Sequence, residues 1–349
     1  MNRETMETIE TDQPLVEEHV STDKRRVSNN EVIGLNERGA INSGNVIDKF
    51  RLMLEMIRFS HTLFALPFAL LALAMAVKMP LPNGGSVSFS PLQLLAVLFC
   101  MVCARSTAMA FNRLVDQRFD ADNPRTSGRH LPSGLLRRNE VAFFTLVCGL
   151  GFIAGTLLFL PNWLPLAASV PVLLFLCGYS LAKRFTSAAH LWLGVALSLA
   201  PVCVWVAVRG TVLLTEPTDG MPALLLALAV ACWVTGFDII YACQDENYDR
   251  SAGLHSVPVR FGARGAFRIA AGFHALMVIL LLALPAVAAP LHLGWLFYTS
   301  VVGIAALLAY EHWLVRPNDL DRINHAFFHV NAIVSLVLLL AGTLDCWFV

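Results

Sequence analysis

The sequence has few charged residues. Only 14% of its 349 residues are Asp, Glu, Lys or Arg, whereas about 25% are charged in an ordinary soluble domain. The formal net charge is zero, so there is no overall positive charge of the kind that attracts nucleic acid, and we expect no nucleic-acid partner. This scarcity of charge excludes an ordinary water-soluble globular protein.

The sequence also has no cysteine pattern typical of a disulfide framework. Its eight cysteines all lie within or at the ends of apolar stretches: 100, 103, 148, 177, 203, 232, 243 and 346. Cys100 and Cys103 form a C-x-x-C pair, but the pair is part of the apolar run "LLAVLFCMVCARS". We therefore interpret these cysteines as small packing residues, and not as a redox or zinc site.

Apolar residues make up 56% of the chain. Many separate runs reach the roughly 20 residues that a helix needs to cross a bilayer. We predict spans at 59–78, 92–112, 140–160, 163–182, 188–208, 222–243, 267–288, 292–312 and 326–347. The expected fold is an all-α, polytopic membrane protein with nine transmembrane helices.

The N-terminal region has a different composition. Residues 1–47 are polar, contain "ETMETIETDQPLVEEH", and show no sustained apolar period. Such a composition is typical of a disordered segment. We predict a disordered cytosolic tail over 1–47 and a membrane domain over 48–349.

Positive charge is concentrated in alternate connections between the predicted spans. The connection after the second span carries six arginines: Arg113, Arg118, Arg125, Arg129, Arg137 and Arg138. The connections after the first, third, fifth and seventh spans carry almost none. Because positive residues near span ends mark the cytoplasmic side, the N-terminus is expected inside and the C-terminus outside. A bacterial cytoplasmic membrane fits this arrangement.

Two groups of acidic residues lie on the predicted cytosolic face. Asn112, Asp116 and Asp120 are spaced four residues apart, so on a helix they share one face. Asp245 and Asp249 repeat the spacing after the sixth span, and Asp238 lies deeper in that span. Close carboxylates with no His or Cys partner favour Mg²⁺. The alternative is a solvated helix end whose acids pair with nearby arginines.

The residues around both groups resemble the signature motifs of the UbiA superfamily of intramembrane prenyltransferases. The motifs are "RSTAMAFNRLVDQRFDADNPRTSGRHLPSG" and "YACQDENYDRSAGLHSVP", with further similarity in "IRFSHTLFALPFAL" and "GYSLAKRFT". The resemblance covers about residues 50–349 and implies a nine-helix fold with a central cavity, two Mg²⁺ ions and an allylic diphosphate. It implies metal-binding roles for Asn112, Asp116, Asp120, Asp245 and Asp249. The four aspartates among these and Asp238 are the expected catalytic residues. It also places Lys183, Arg184 and Tyr179 in the segment that binds the diphosphate and the aromatic acid.

Within the superfamily the sequence is most similar to 4-hydroxybenzoate polyprenyltransferases. This similarity implies Mg²⁺-dependent transfer of a polyprenyl group to an aromatic acid, in ubiquinone or menaquinone biosynthesis. Asn247, Tyr248 and His255 depart from the ubiquinone enzymes, which leaves other acceptors open: a naphthoate, a futalosine-pathway intermediate, or a haem or chlorophyll precursor. A transporter is the alternative from another class, since acids inside a bundle also mark ion paths.

Several further residues are candidates for binding substrates. Arg125 lies five residues after Asp120, in position to bind phosphate or cap the loop, and Tyr241 lies one turn before Asp245. Arg58 and His61 open the first span and would reach the acceptor carboxylate or lie at the membrane interface. Asp238 or a phosphate oxygen is the expected general base. The lipid bilayer and the two substrates are the expected partners, with no obligate protein partner.

Overall fold

The computed structural model describes residues 46–57, 65–315 and 323–348, with side chains described up to 315 and from 330 onward. Within these residues every regular element is helical. The helices are α1 (Val46–Met56), α2 (Leu66–Lys78), α3 (Pro91–Asp122), α4 (Arg138–Thr156), α5 (Leu164–Ala182), α6 (Ala189–Leu213), α7 (Met221–Ala242), α8 (Glu246–Ser251), α9 (Val257–Val287), α10 (Trp295–Leu314) and α11 (Ile323–Phe348). Nearly all of the predicted tail lies outside the described residues, so the tail and its boundary at residue 48 stay predictions.

The all-α membrane class is confirmed, but the count of nine crossing helices is too high. Among the described residues, seven helices are long and apolar enough to cross a membrane. The helices at the first and eighth predicted positions, α2 and α10, are not among them. Helix α2 has 13 residues, a length of about 20 Å against a hydrocarbon core of about 30 Å. Helix α10 has 20 residues but carries Glu311 and His312 in its last turn.

Helix α3 is much longer than the predicted second span. It starts at a capping box, in which the Ser90 hydroxyl accepts from the Gln93 backbone N–H and the Gln93 side chain accepts from the Ser90 N–H. Pro91 follows, at a position where a proline costs a helix nothing. The helix continues for 32 residues, about ten beyond the predicted end at 112. It therefore carries Asn112, Asp116 and Asp120 on one continuous helix.

Helix α7 is the most buried of the long helices, because it is apolar on every side. It packs against α6 on one side and α9 on the other. At its middle, the Trp233 ring lies 5.1 Å from the Phe68 ring and 5.0 Å from the Phe237 ring, measured between centroids. The helix ends at Ala242, and a 3₁₀ turn, Cys243–Asp245, leads into the short helix α8. The second motif is therefore split across a helix break, and not carried on one continuous helix.

The cysteines and one buried arginine show how the bundle is held together. All eight cysteines are free, and Cys100 and Cys103 lie in an apolar cluster between α3 and its neighbours, as predicted. Near the end of α6, Arg209 is fully buried and donates to the carbonyls of Ala76 and Met79 and to the Asp219 carboxylate. These hydrogen bonds connect the end of α6 to the end of α2 and to the turn before α7.

Candidate active site

A polar cavity of about 330 Å³ lies where α3, α5, α6, α7 and α8 meet. Eleven of the residues predicted from the sequence line it: Asn112, Asp116, Asp120, Arg125, Tyr179, Lys183, Arg184, Asp238, Tyr241, Asp245 and Asp249. The twelfth, Arg58, and the neighbouring candidate His61 lie outside the described residues. The structure thus brings together two motifs that are more than a hundred residues apart in sequence.

The first motif lies along one face of α3, as its spacing predicts. The Asn112 side-chain amide donates to Asp116 Oδ2 at 2.8 Å, which is the contact expected for positions four apart. Asp116 also accepts from Arg184 of the α5 C-terminus at 3.3 Å. One turn later, the buried Asp120 accepts from Arg129 at 2.6 Å. Each carboxylate of this motif is thus paired with a cation from another part of the chain.

The second motif is also paired with cations. Asp249 is buried and lies 3.5 Å from the Lys183 ammonium. Asp245 accepts from Arg125 Nε at 2.8 Å and from the side-chain amide of Asn123 at 3.2 Å. Asp245 ends the 3₁₀ turn and precedes α8, so the break after α7 turns its carboxylate toward the loop that follows α3.

Arg125 connects the two motifs. It lies in the loop after α3, and it donates to Asp245 of the second motif and to the Tyr241 hydroxyl at 3.0 Å. Its guanidinium also lies over the Tyr241 ring. Burial lowers the pKa of Arg125, but the hydrogen bonds and charge of Asp245 outweigh burial and raise that pKa overall. Arg125 therefore carries a positive charge at the cavity wall.

Asp238 has a different partner from the other four aspartates. Its Oδ2 lies 2.7 Å from Nδ1 of His190, near the start of α6. The His190 ring is buried, whereas the Asp238 side chain is 21% exposed along the cavity wall. No sequence motif singled out His190, because its partner lies 48 positions away and the pair forms only where α6 packs on α7.

A second cavity, of about 270 Å³, joins the polar one and is almost entirely apolar. It is lined by α3, α4, α5 and α6. The two cavities share five residues: Arg105, Met109, Tyr179, Leu193 and Leu197. Arg105 is the first residue of the first motif, but its position in an apolar run without an acidic neighbour indicated no role for it. Its buried Nε has no hydrogen-bond partner among the described residues.

The donor set of the polar cavity suits a hard divalent cation. The two motifs supply carboxylate and amide oxygens, the ligands that Mg²⁺ accepts, together with basic side chains for a phosphate. Within the described residues, no three His, Cys, Asp or Glu side chains already converge as a ready metal centre. One oxygen, Asp120 Oδ2, is buried and accepts no hydrogen bond from the described residues, although the Arg113 guanidinium lies 3.9 Å away. A buried carboxylate oxygen that accepts no hydrogen bond is a suitable ligand for a cation. The residues of the polar cavity therefore fit Mg²⁺.

Fold and site together define an integral membrane protein. Its helices enclose a polar site, lined by carboxylates and basic side chains, that is continuous with an apolar cavity. The chain belongs to the UbiA prenyltransferase family, whose model matches residues 60–333. It is 30% identical to a 4-hydroxybenzoate octaprenyltransferase of Methylobacillus flagellatus, over 66% of this chain and 73% of that one. It is 31% identical to the Tolumonas auensis enzyme of the same name, over 74% of this chain and 85% of that one.

Solved structures show the same fold. The apo structure of a UbiA homolog from Aeropyrum pernix K1 superposes with a TM-score of 0.69 and 28% identity, covering 81% of this chain and 96% of that one. A UbiA homolog from Archaeoglobus fulgidus bound to GPP and Mg²⁺ gives a TM-score of 0.58 at 17% identity, covering 84% and 99%. Family membership makes the protein a prenyltransferase, and the expected family is confirmed.

Proposed function

We propose that this prenyltransferase transfers a polyprenyl group from an allylic diphosphate to an aromatic acid of the 4-hydroxybenzoate type, with Mg²⁺ as the metal. The observation that carries the proposal is the junction of the two cavities. A polar chamber with five aspartates and several cations opens into an apolar chamber. This pairing suits a substrate with a diphosphate head and a long hydrocarbon tail.

The diphosphate end of the substrate belongs in the polar cavity. Lys183, Arg184, Arg125 and Arg129 lie at its wall, each within hydrogen-bond distance of an aspartate. Donors placed in this way stabilise negative charge on the leaving diphosphate. A divalent cation held by Asn112, Asp116, Asp120, Asp245 and Asp249 supplies further neutralisation of that charge when it is bound.

The tail of the substrate belongs in the apolar cavity. Its wall is made of side chains such as Val97, Phe152 and Val172, which cannot hydrogen-bond to water. Excluding water protects an allylic carbocation from capture until an acceptor attacks it. The tail also extends toward lipid without exposing apolar surface to water, which gives a physical reason for placing this reaction in a membrane.

The aromatic acid is proposed to bind at the junction of the cavities, beside Arg105 and Tyr179. Arg105 has an unsatisfied buried Nε donor, and an acceptor carboxylate would satisfy it through a charge-assisted hydrogen bond. An acceptor held there has its ring between the apolar chamber and the cations of the polar chamber. This position favours an aromatic acid over a neutral acceptor.

The proposed function also requires an orientation of the protein in the membrane and a set of binding partners. We place the polar cavity on the cytoplasmic side of a bacterial cytoplasmic membrane, with the N-terminus inside and the C-terminus on the opposite side. The support is the concentration of arginines around the cavity, among them Arg113, Arg125 and Arg129. The proposed partners are the prenyl diphosphate, the aromatic acid and the bilayer.

The test uses the full chain in membranes, incubated with labelled prenyl diphosphates and a panel of hydroxybenzoate, dihydroxynaphthoate and neutral phenols. We expect a C-prenylated hydroxybenzoate, identified by mass, and no product in chelator. Mg²⁺ should restore the activity, whereas Ca²⁺ should support it poorly because its larger, looser shell misplaces the phosphate. A product formed only from naphthoate or from a neutral phenol would refute the acceptor class, and full activity in chelator would refute the metal.

A further inference from the structure

His190 connects three helices at the wall of the polar cavity. It lies near the start of α6, and its Nδ1 is 2.7 Å from Asp238 Oδ2 on α7. On the other edge of the ring, the backbone N–H of Val257 donates to His190 Nε2 at 3.3 Å. Val257 is the first residue of α9, where a backbone N–H has no partner inside its own helix. His190 therefore forms hydrogen bonds both to the N-terminus of α9 and to a carboxylate of the cavity.

These two contacts fix the protonation of the ring. A backbone N–H can only donate, so His190 Nε2 must carry the lone pair that accepts from Val257. The remaining proton of a neutral imidazole then lies on Nδ1, which donates it to Asp238. A hydrogen bond at one nitrogen of a histidine sets the state of the other in this way. The geometry thus assigns the neutral Nδ1–H form to His190.

Close packing of α6 on α7 holds the two side chains at this distance. Gly194, one turn after His190, faces α7 so closely that a Cβ there would lie 2.3 Å from Thr235 Oγ1 and 2.5 Å from the Ala231 carbonyl oxygen. Thr235 is one turn before Asp238 on the same helix. The contact at Gly194 therefore sets the separation of the helices where His190 reaches Asp238.

Asp238 differs from the other four aspartates of the cavity in the charge of its partner. Asp116, Asp120, Asp245 and Asp249 each pair with an arginine or a lysine. An aspartate held by an arginine or a lysine already has an oxygen engaged with a positive donor, so that oxygen is less accessible to a proton of the substrate. Within the part of the chain that the structure describes, His190 is the only hydrogen-bond partner of the Asp238 carboxylate. It bonds to Oδ2, and Asp238 Oδ1 accepts no hydrogen bond from the described residues.

We propose that His190, as a neutral donor, is a positioning residue that orients Asp238 as the proton acceptor of the prenyl transfer. The inference rests on the proposed function. In the transfer, the bond between C1 of the prenyl group and the diphosphate oxygen breaks, and its electron pair stays on the diphosphate. A ring carbon of the acceptor bonds to C1, and the proton on that carbon moves to Asp238 Oδ1. The proton then passes to water at the cavity mouth.

The test compares His190→Leu, His190→Gln and Asp238→Asn in the full chain. The Leu variant removes both hydrogen bonds, whereas the Gln variant keeps one donor and one acceptor. General base catalysis is worth about 10²–10⁴-fold in the step that it assists. Because proton loss is not rate-limiting in the wild type, His190→Leu and Asp238→Asn should each lower kcat by less than this, about 10-fold to 100-fold. The KM for prenyl diphosphate should hardly change, and His190→Gln should stay within a few-fold of the wild type.

The decisive measurement is the deuterium isotope effect with an acceptor deuterated at the attacked ring carbon. In the wild type, proton loss is fast and kcat should show no isotope effect. In His190→Leu and Asp238→Asn proton loss becomes slow, so a primary isotope effect should appear. A merely structural role would lower the amount of folded enzyme without creating an isotope effect. The matched control is His274→Leu, which removes another buried histidine, on α9 and away from the cavity, and should show none.

Two outcomes would overturn the inference while the proposed function stands: unchanged kcat in His190→Leu, or loss of kcat without an isotope effect. If the wild type does not prenylate hydroxybenzoates, the proposed function fails, and the ¹⁵N spectrum of histidine-labelled protein in membranes still tests the assignment. The signals that disappear in His190→Gln should show a protonated Nδ1 and an unprotonated Nε2. A protonated Nε2 would refute the assignment directly.

Discussion

Asp116 and Asp245 lie on different helices, and each is held by an arginine from yet another segment. Arg184, at the end of α5, binds Asp116, and Arg125, in the loop after α3, binds Asp245. The alternative considered from the sequence was that the acids pair with nearby arginines at a solvated helix end. The pairing with arginines is found, but the pairs line one cavity, and Asp245 is buried. At the scale of single residues, ion pairing and a catalytic role are therefore compatible.

Replacing either aspartate with asparagine should impair catalysis without unfolding the protein. Asp116→Asn and Asp245→Asn keep the side-chain shape and remove one charge from the wall that is proposed to bind diphosphate. Preorganised electrostatic groups are worth about 10²–10³-fold in rate, and we expect losses of at least this size in steady-state turnover. The double variant should lose much less than the product of the two singles, because both act on one centre.

Asp122→Asn is the matched control for this prediction. Asp122 is on α3 as well, two residues past Asp120, but it is exposed and does not line the cavity. The same change of charge there should leave turnover within about twofold, the effect usual for a surface site. Near-normal turnover in either Asp116→Asn or Asp245→Asn would show that the aspartates are not part of the active centre.

Arg105 should determine the preference of the enzyme for an acceptor with a carboxylate over one without it. Arg105→Met keeps the length of the side chain but removes its charge and donors. A hydrogen bond to a charged group contributes about 1.5–3 kcal/mol, so the KM for hydroxybenzoate should rise by about 10-fold to 100-fold. The KM for prenyl diphosphate should change far less. A phenol without a carboxylate is the internal control, and equal losses for the acid and the phenol would contradict the assignment.

At the scale of helices, the site depends on how closely α6 packs on α7. Only glycine at 194 allows this approach, because the atoms that a Cβ would meet include a backbone oxygen, Ala231 O, which cannot rotate away. The helices then place His190 beside Asp238. Helix α7, in turn, must end at Ala242 for Asp245 to face Arg125. The site is therefore built by a close contact and by a helix break.

Gly194→Ala should destabilise the protein and impair its activity together. Inserting a methyl group into a packed helix contact costs about 1–3 kcal/mol, and the measurement is thermal unfolding of the detergent-purified protein. Gly303→Ala, on α10, is the matched control, because nothing lies within 4 Å of the position of the added Cβ. Alanine is the better helix former, so the control should keep or slightly raise the unfolding temperature. An equal effect of both substitutions would contradict the role of the close contact.

At the scale of the whole molecule, three membrane-spanning helices separate residue 128 from residue 218. These are α4, α5 and α6, and all three are among the seven helices long and apolar enough to cross. An odd number of crossings places the two positions on opposite sides of the membrane. This expectation does not depend on α2 or α10, the two helices that fall outside the seven.

Single cysteines at Gly128 and Thr218, both exposed positions, should therefore react differently with a membrane-impermeant maleimide. In intact cells the label should reach residue 218 but not residue 128, whereas in lysed cells it should reach both. The wild-type chain, whose native cysteines lie in the helices or, for Cys243, in the 3₁₀ turn after α7, measures the background labelling. Labelling of both positions from outside would contradict the topology and the cytoplasmic placement of the cavity.

The sequence by itself determined the all-α membrane class, because apolar runs of this length are stable as helices within a bilayer. It also determined the first motif, since positions four apart share a helix face wherever the helix lies. The span count was overestimated because apolarity alone cannot show that α2 has only 13 helical residues. Eleven of the twelve proposed site residues line the cavity, and the spacing of the motifs with the resemblance to a family predicted them.

Only the tertiary structure decided which residues meet. The pairing of Asp249 with Lys183 depends on the packing of α8 against the end of α5, and that of Asp245 with Arg125 on the approach of the turn after α7 to the loop after α3. No local pattern encodes these contacts. Arg105 opens the first motif, but its role depends on the junction of the two cavities. His190 lies outside both motifs, and its role depends on Asp238. Helix propensity is a local property of the chain, whereas a binding site forms from the contacts between helices.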